Sequence, residues 1–173
     1  MFPTQSSRPV ERRGRIAVAV LAAALAAGCT VGASAATPAG RSVTLRFIEK
    51  DAASSFIDNP PRQGPNAPPS IGDQIALRSE LLTPARKHAG WLEASCTVTM
   101  GGPRGGGPCH GVFSFTRGQL MAITLLRFAN DTTHVAIVGG TGIYRGATGT
   151  VDSVARSEHE FVDTLRLVLP SGA

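Results

Sequence analysis

The chain has little of what most small-molecule enzymes use. Its 173 residues include one tryptophan, one tyrosine and three cysteines, and aromatic residues make up only 5%. No Gly-x-Ser-x-Gly elbow or Ser/His/Asp order supplies a nucleophile, and no Cys-x-x-Cys or His-x-x-x-His spacing supplies a metal cradle. No apolar run reaches the roughly 20 residues that a membrane-spanning helix requires. After residue 35 no segment shows a helical period. Hydrolase, zinc and helical-membrane classes are therefore excluded at the outset, and no metal or other cofactor is expected. What the chain does have is 20 glycines and 12 prolines, which punctuate short alternating segments.

The opening segment is set apart by composition. Arg8, Arg12, Arg13 and Arg15 form a basic head, Ile16 to Ala27 an apolar stretch, and Ala33-Ser34-Ala35 a small-x-small cleavage site, the pattern of a secretory signal over residues 1–35. A second processing route overlaps it. Ala26-Ala27-Gly28-Cys29 is similar to a bacterial lipobox, with Cys29 as the lipidated residue. Both routes stay open, and a membrane is expected to hold the protein only through signal or lipid. Of 17 basic and 12 acidic residues, four arginines and one glutamate fall in this segment, leaving 13 and 11. A balance this close to neutral, with no basic stripe interleaved with aromatics, excludes a nucleic-acid partner.

Residues 36–41 read as a linker and 42–173 as one domain. Alternation at period two predicts strands over 42–49, 72–82, 90–100, 109–116, 119–128, 133–138, 149–156 and 160–169. Between the first two, residues 54–70 hold five prolines with Asn59, Gly64 and Asn66 and predict a long exposed loop. Short strands at regular spacing, with turn residues between them, predict an all-β sandwich or barrel. The segment Gln119 to Phe128 is apolar on both faces, which leaves Leu120, Leu126 or Phe128 in need of cover from outside the barrel wall.

Export bears on the cysteines. Cys96 and Cys109, the two in the body of the chain, bracket a Gly/Pro-rich turn between strands, and an oxidising compartment favours their pairing over free thiols.

Thr133 to Val151 ends an apolar run in Gly139-Gly140-Thr141-Gly142, superficially a phosphate-binding loop. Such a loop must open a helix within a βαβ unit. Gly146 and Gly149 interrupt any such helix, and only 22 residues follow Val151. The run Val138-Gly139-Gly140-Thr141-Gly142-Ile143-Tyr144-Arg145-Gly146-Ala147-Thr148-Gly149 instead closely resembles a signature of the allene oxide cyclase and dirigent barrel superfamily, in which these glycines turn one strand into the next. Further similarity lies at Ile71 to Ile75, Gly90 to Cys96, Gly111 to Phe115 and Gly118-Gln119-Leu120. The resemblance implies an eight-stranded antiparallel β-barrel around an apolar cavity, commonly a trimer. It implies a small hydrophobic ligand whose cyclisation or coupling is steered without a cofactor, or, alternatively, a barrel that only binds its ligand or supports the envelope.

The family's site residues match in part. The plant cyclases carry Glu-x-Asn on the first strand and then a proline; the corresponding stretch here is Arg46 to Asp51 followed by Ser54-Ser55, and reads as lacking them. The dirigent arginine is replaced by Thr148, and of a dirigent aspartate pair one acid remains, Glu80. As catalytic candidates this leaves Glu80, a general acid or base if it points inward and a solvated outer residue if not; Asp73, fixing a turn or lining the cavity mouth; and Tyr144, a plug at the barrel end or a hydroxyl offered to ligand. His110 and His134 read as exterior histidines.

Overall fold

A computed structural model describes residues 40–59 and 67–171. The leader, the lipobox with Cys29, and most of the linker lie outside the described residues. Eight strands follow one another: β1 (Arg41–Ile57), β2 (Gln74–Leu82), β3 (His88–Thr97), β4 (Gly106–Phe115), β5 (Gly118–Arg127), β6 (Thr132–Gly140), β7 (Thr148–Ser157) and β8 (Glu160–Leu169). Each pairs antiparallel with its neighbours in sequence, and β8 closes on β1 from Arg41↔Leu169 to Lys50↔Glu160. The expected eight-stranded barrel is thus the fold, and closure leaves no sheet edge unpaired. Among the described residues no helix is long and apolar enough to cross a membrane.

Period-two alternation sends every second side chain into the lumen. One half of the lumen is solid. Phe47, Leu81, Phe113, Leu120, Leu165 and Leu167 are buried there, and Phe115 stacks between Phe47 and Tyr144 at centroid distances of 5.3 and 5.6 Å. The other half, toward the β7–β8 turn and the β3–β4 loop, is hollow.

Two strands run further than the pattern predicts. β1 continues to Ile57, into the expected loop, because a bulge between Asp51 and Ala53 shifts its register against β2. An extra residue reverses the inward phase, so the alternation dissolves on paper while the ladder goes on. β4 starts at Gly106, paired with Arg127; residues without side chains carry no alternation to read.

Cys96 and Cys109 are directly opposite on β3 and β4 and are disulfide-bonded. Such a bond favours an oxidising, extracytoplasmic compartment. The Gly139 to Gly142 corner leads into a single 3-10 turn, Gly142–Tyr144, too short to hold a pyrophosphate on a helix terminus. Positive φ occurs at Gly142, Gly146 and Gly149 but not at Gly139 or Gly140. The β5 prediction needs correction. Leu120 is fully buried and Leu126 lines the hollow, while Met121, Ile123 and Leu125 form the exposed apolar row.

Candidate functional site

The hollow half of the barrel is a cavity of about 320 Å³, at the small end of the range for small-molecule sites. Its wall is mostly apolar: Ile75, Leu77, Leu92, Val135 and Phe161 come from four different strands. Against this wall stand two acids. Glu49 from β1 is 6% exposed and Asp163 from β8 is 1% exposed, and both line the cavity where it meets the packed half.

Register explains the meeting. Asp163 is paired across the ladder with Phe47 on one side and with Ser153 on the other, and Glu49 is paired with Phe161. The two acids are therefore diagonal neighbours on the inward face, within reach of each other. Burial is the larger cause of the rise in both pKa values. It lifts Glu49 from 4.5 to about 8, with the Asp163 charge adding to the rise and Ser79 opposing it. It lifts Asp163 from 3.8 to about 6, against opposing contributions from Ser153 and Glu49. At neutral pH the pair thus holds one proton, on Glu49, beside an ionised Asp163. Ser153 and Glu49 stand near enough to act on Asp163 electrostatically, yet neither of its carboxylate oxygens has a hydrogen-bond partner of normal geometry among the described residues.

Asp51 is two residues beyond Glu49 and also lines the cavity. It accepts a hydrogen bond from the buried Ser79 hydroxyl at 3.3 Å and faces His159 Nδ1 at 3.4 Å.

The residues favoured by sequence lie elsewhere. Glu80 points outward and is 2.8 Å from His88 Nδ1, in an exterior group where Arg78 covers the Trp91 ring at 3.9 Å. Asp73 is fully buried but fixes a turn, accepting from the Ser70 and Asn59 amides at 2.7 and 2.8 Å. Tyr144 packs at the filled end, away from the cavity, and burial raises its pKa. His134 is exterior, 2.8 Å from Asp152. His110 bonds Ser95 at 2.9 Å on the barrel surface.

Sequence reasoning missed Glu49, Asp51 and Asp163. The signal was there in part. Glu49-Lys50-Asp51 carries two acids at strand spacing, continuing the inward phase of Val43, Leu45 and Phe47, so the reading of that stretch as lacking a glutamate is corrected. Asp163 likewise shares a phase with Leu165 and Leu167. Among the described residues no cluster of three His, Cys, Asp or Glu is arranged to hold a metal ion.

No family model matches the chain, and no curated protein sequence does. Solved structures do match. A pyocyanin demethylase superposes with a TM-score of 0.61 at 22% identity, over 72% of this chain and 99% of its own. A pterocarpan synthase dirigent protein gives 0.60 at 17%, over 77% and 97%. An exo-specific intermolecular Diels-Alderase gives 0.57 at 15%, over 75% and 98%. The chain has the barrel fold of the dirigent and allene oxide cyclase-like superfamily. These neighbours carry different activities on one architecture, so the barrel does not select the reaction.

Proposed function

We propose that the barrel takes a small, largely apolar carbonyl compound into its lumen and that Glu49 and Asp163 move protons on it, steering an isomerisation or ring closure. The observation that carries this reading is two carboxyl groups buried together at the floor of an apolar cavity. Burying carboxyl groups is costly, and perturbed acids that face a cavity mark functional sites more often than structural ones. Neither oxygen of Asp163 has a hydrogen bond of normal geometry among the described residues, so little offsets its burial.

The chemistry balances within the pair. Glu49 gives its proton to the ligand oxygen as charge develops there, while Asp163 accepts a proton from a carbon or hydroxyl of the same ligand. The product is an isomer of the substrate. The proton now on Asp163 passes to Glu49 and restores the starting state, so no co-reactant is consumed. The apolar wall contributes by confining the ligand in a reactive fold. We further propose that the protein works outside the cytoplasm, secreted or anchored at Cys29, as a homo-oligomer, a trimer by the resemblance.

Titration calorimetry with 1-tetralone and tetralin, equal in shape but differing in the carbonyl, tests the site. At pH 6.5 the ketone should bind about five- to tenfold tighter, the worth of one hydrogen bond from a neutral acid. At pH 9.5, with Glu49 ionised, the preference should vanish. Failure of both to bind, or a preference that ignores pH, refutes the reading. The mostly apolar wall favours a second reading, a barrel that only carries its ligand. The two separate in heavy water: proton transfer predicts exchange at the carbon next to the tetralone carbonyl faster than in Asp163→Asn, and a carrier predicts binding without exchange.

A further inference from the structure

The proposed cycle conserves its protons, yet a carboxyl pair beneath a bound ligand can trade them with water only where a route stays open. The lumen cannot provide one from the far end, where Phe47, Phe115 and Tyr144 fill the barrel. A bound ligand occupies the other. The barrel wall itself offers a route. His159, in the β7–β8 turn, is mostly in solvent, its side chain 71% exposed, and its Nδ1 lies 3.4 Å from Asp51 Oδ2. Asp51 is half-buried and belongs both to the mouth and to the cavity lining. Its other oxygen, Oδ1, accepts from Ser79 Oγ at 3.3 Å. Ser79 is fully buried and stands close enough to Glu49 to act on its ionisation.

We infer that His159, Asp51 and Ser79 form a proton path through the barrel wall, connecting solvent to the Glu49–Asp163 pair while a ligand closes the lumen; this rests on the carboxyl-pair reading above. The order of groups suits the task. A surface imidazole can take up a proton on one ring nitrogen and release one to water. A serine hydroxyl can accept on one side and donate on the other. In the outward direction Glu49 gives its proton to Ser79 Oγ, the Ser79 proton passes to Asp51, and Asp51 passes one to His159 and so to water. The net change is one carboxylate formed and one proton released.

Two features hold the path in place. The Asp51 amide donates to the His159 carbonyl at 3.1 Å, which ties the turn to β1 at this residue. The register shift against β2 falls directly after Asp51, which is paired with Ser79. The 3.3 and 3.4 Å contacts are long for proton transfer, as is common before a ligand tightens a site. The other charges near the path are accounted for. Asp163 faces Glu49 from β8, and Glu160 at the turn is held by Arg86 at 3.2 Å.

The test is a pH jump from 6.5 to 9.5 with saturating tetralin in the lumen, following by infrared the C=O stretch of the protonated acid that Glu49→Gln lacks. In the unaltered protein the band should decay quickly. His159→Gln, an exposed change that leaves the fold intact, and Asp51→Asn should each slow the decay at least tenfold, and added imidazole should restore the rate in His159→Gln. Equal rates in all proteins overturn the path and leave the carboxyl pair standing. A band that never decays likewise overturns the path, whereas no such band at pH 6.5, or a lumen that takes no tetralin, removes the pair and the path together.

Discussion

Glu49 and Asp163 sit on adjacent strands one diagonal apart, Asp163 facing Phe47 across the β1–β8 ladder and Glu49 facing Phe161. Both point into a space from which water is largely shut out, and both are shifted toward their neutral forms for that reason. This has a consequence for stability that can be measured without knowing the ligand.

In the unfolded chain Glu49 ionises near 4.5, and in the barrel it keeps its proton to about 8. Between those values the native state binds more protons than the unfolded one, so stability falls as pH rises through the window and levels off above it. Asp163 adds the same trend between 3.8 and about 6. For Glu49 alone the loss should be on the order of 5 kcal/mol across its window, at about 1.4 kcal/mol per unit. Urea denaturation at intervals from pH 4.5 to 9 should show this slope, and Glu49→Gln should flatten it. A slope unchanged by that substitution would mean that Glu49 ionises normally.

Asp163→Leu removes a buried acid and leaves a side chain of similar size among apolar neighbours. It should stabilise the barrel at pH 8 by about 1–3 kcal/mol, while abolishing exchange and leaving the ketone preference, which rests on Glu49. A variant less stable than its parent would assign Asp163 a structural role instead.

The Cys96–Cys109 bond spans 13 residues. In the chain-entropy model a loop of that size contributes about 3 kcal/mol. Cys96→Ala with Cys109→Ala should lower stability by roughly that amount. Two alkylatable thiols in the unreduced protein from its native compartment would contradict the bond.

The barrel was legible because its evidence is repetitive. Eight alternating segments and the glycine corner each point to the same answer, and an error at one end, as in β1 or β4, does not disturb the others. The site was legible only in fragments. Glu80 and Glu49 are both glutamates on alternating strands, and only closure of the barrel decides that one faces His88 outside and the other faces Asp163 within. That decision depends on register between β1 and β8, which lie at opposite ends of the chain. Asp163 had the right phase, yet an acid among leucines gives no sign in sequence of which strand will bring its partner.

Met121, Ile123 and Leu125 make an exposed apolar row on the outside of β5, each about half-exposed, with Val138 also exposed on β6. Rows of this kind are covered in assemblies. Light scattering at tens of micromolar should report an oligomer, and Ile123→Lys should shift it toward monomer without loss of folding. A monomer in the unaltered protein would leave the row without that role.

The adjacent glycines at the end of β6 make a sharp internal control. Neither has a positive φ, so backbone strain does not separate them. A Cβ at Gly140 would lie 2.5 Å from the Tyr144 carbonyl oxygen and 2.6 Å from that of Gln119, whereas one at Gly139 would meet nothing within 4 Å. Backbone oxygens cannot move aside without disturbing the corner that carries the chain from β6 to β7. Gly140→Ala should therefore destabilise by roughly 1–3 kcal/mol, the range for overpacking. Gly139→Ala should be neutral, or stabilising by about 0.4–1 kcal/mol through the lower entropy of its unfolded chain. Denaturant midpoints for the two variants decide the matter, and a larger loss at Gly139 than at Gly140 would rule out close packing as the reason for the glycine at 140. If the corner served a nucleotide, Gly140→Ala would instead weaken binding of NAD or ATP, and calorimetry of the unaltered protein with either should record no saturable heat.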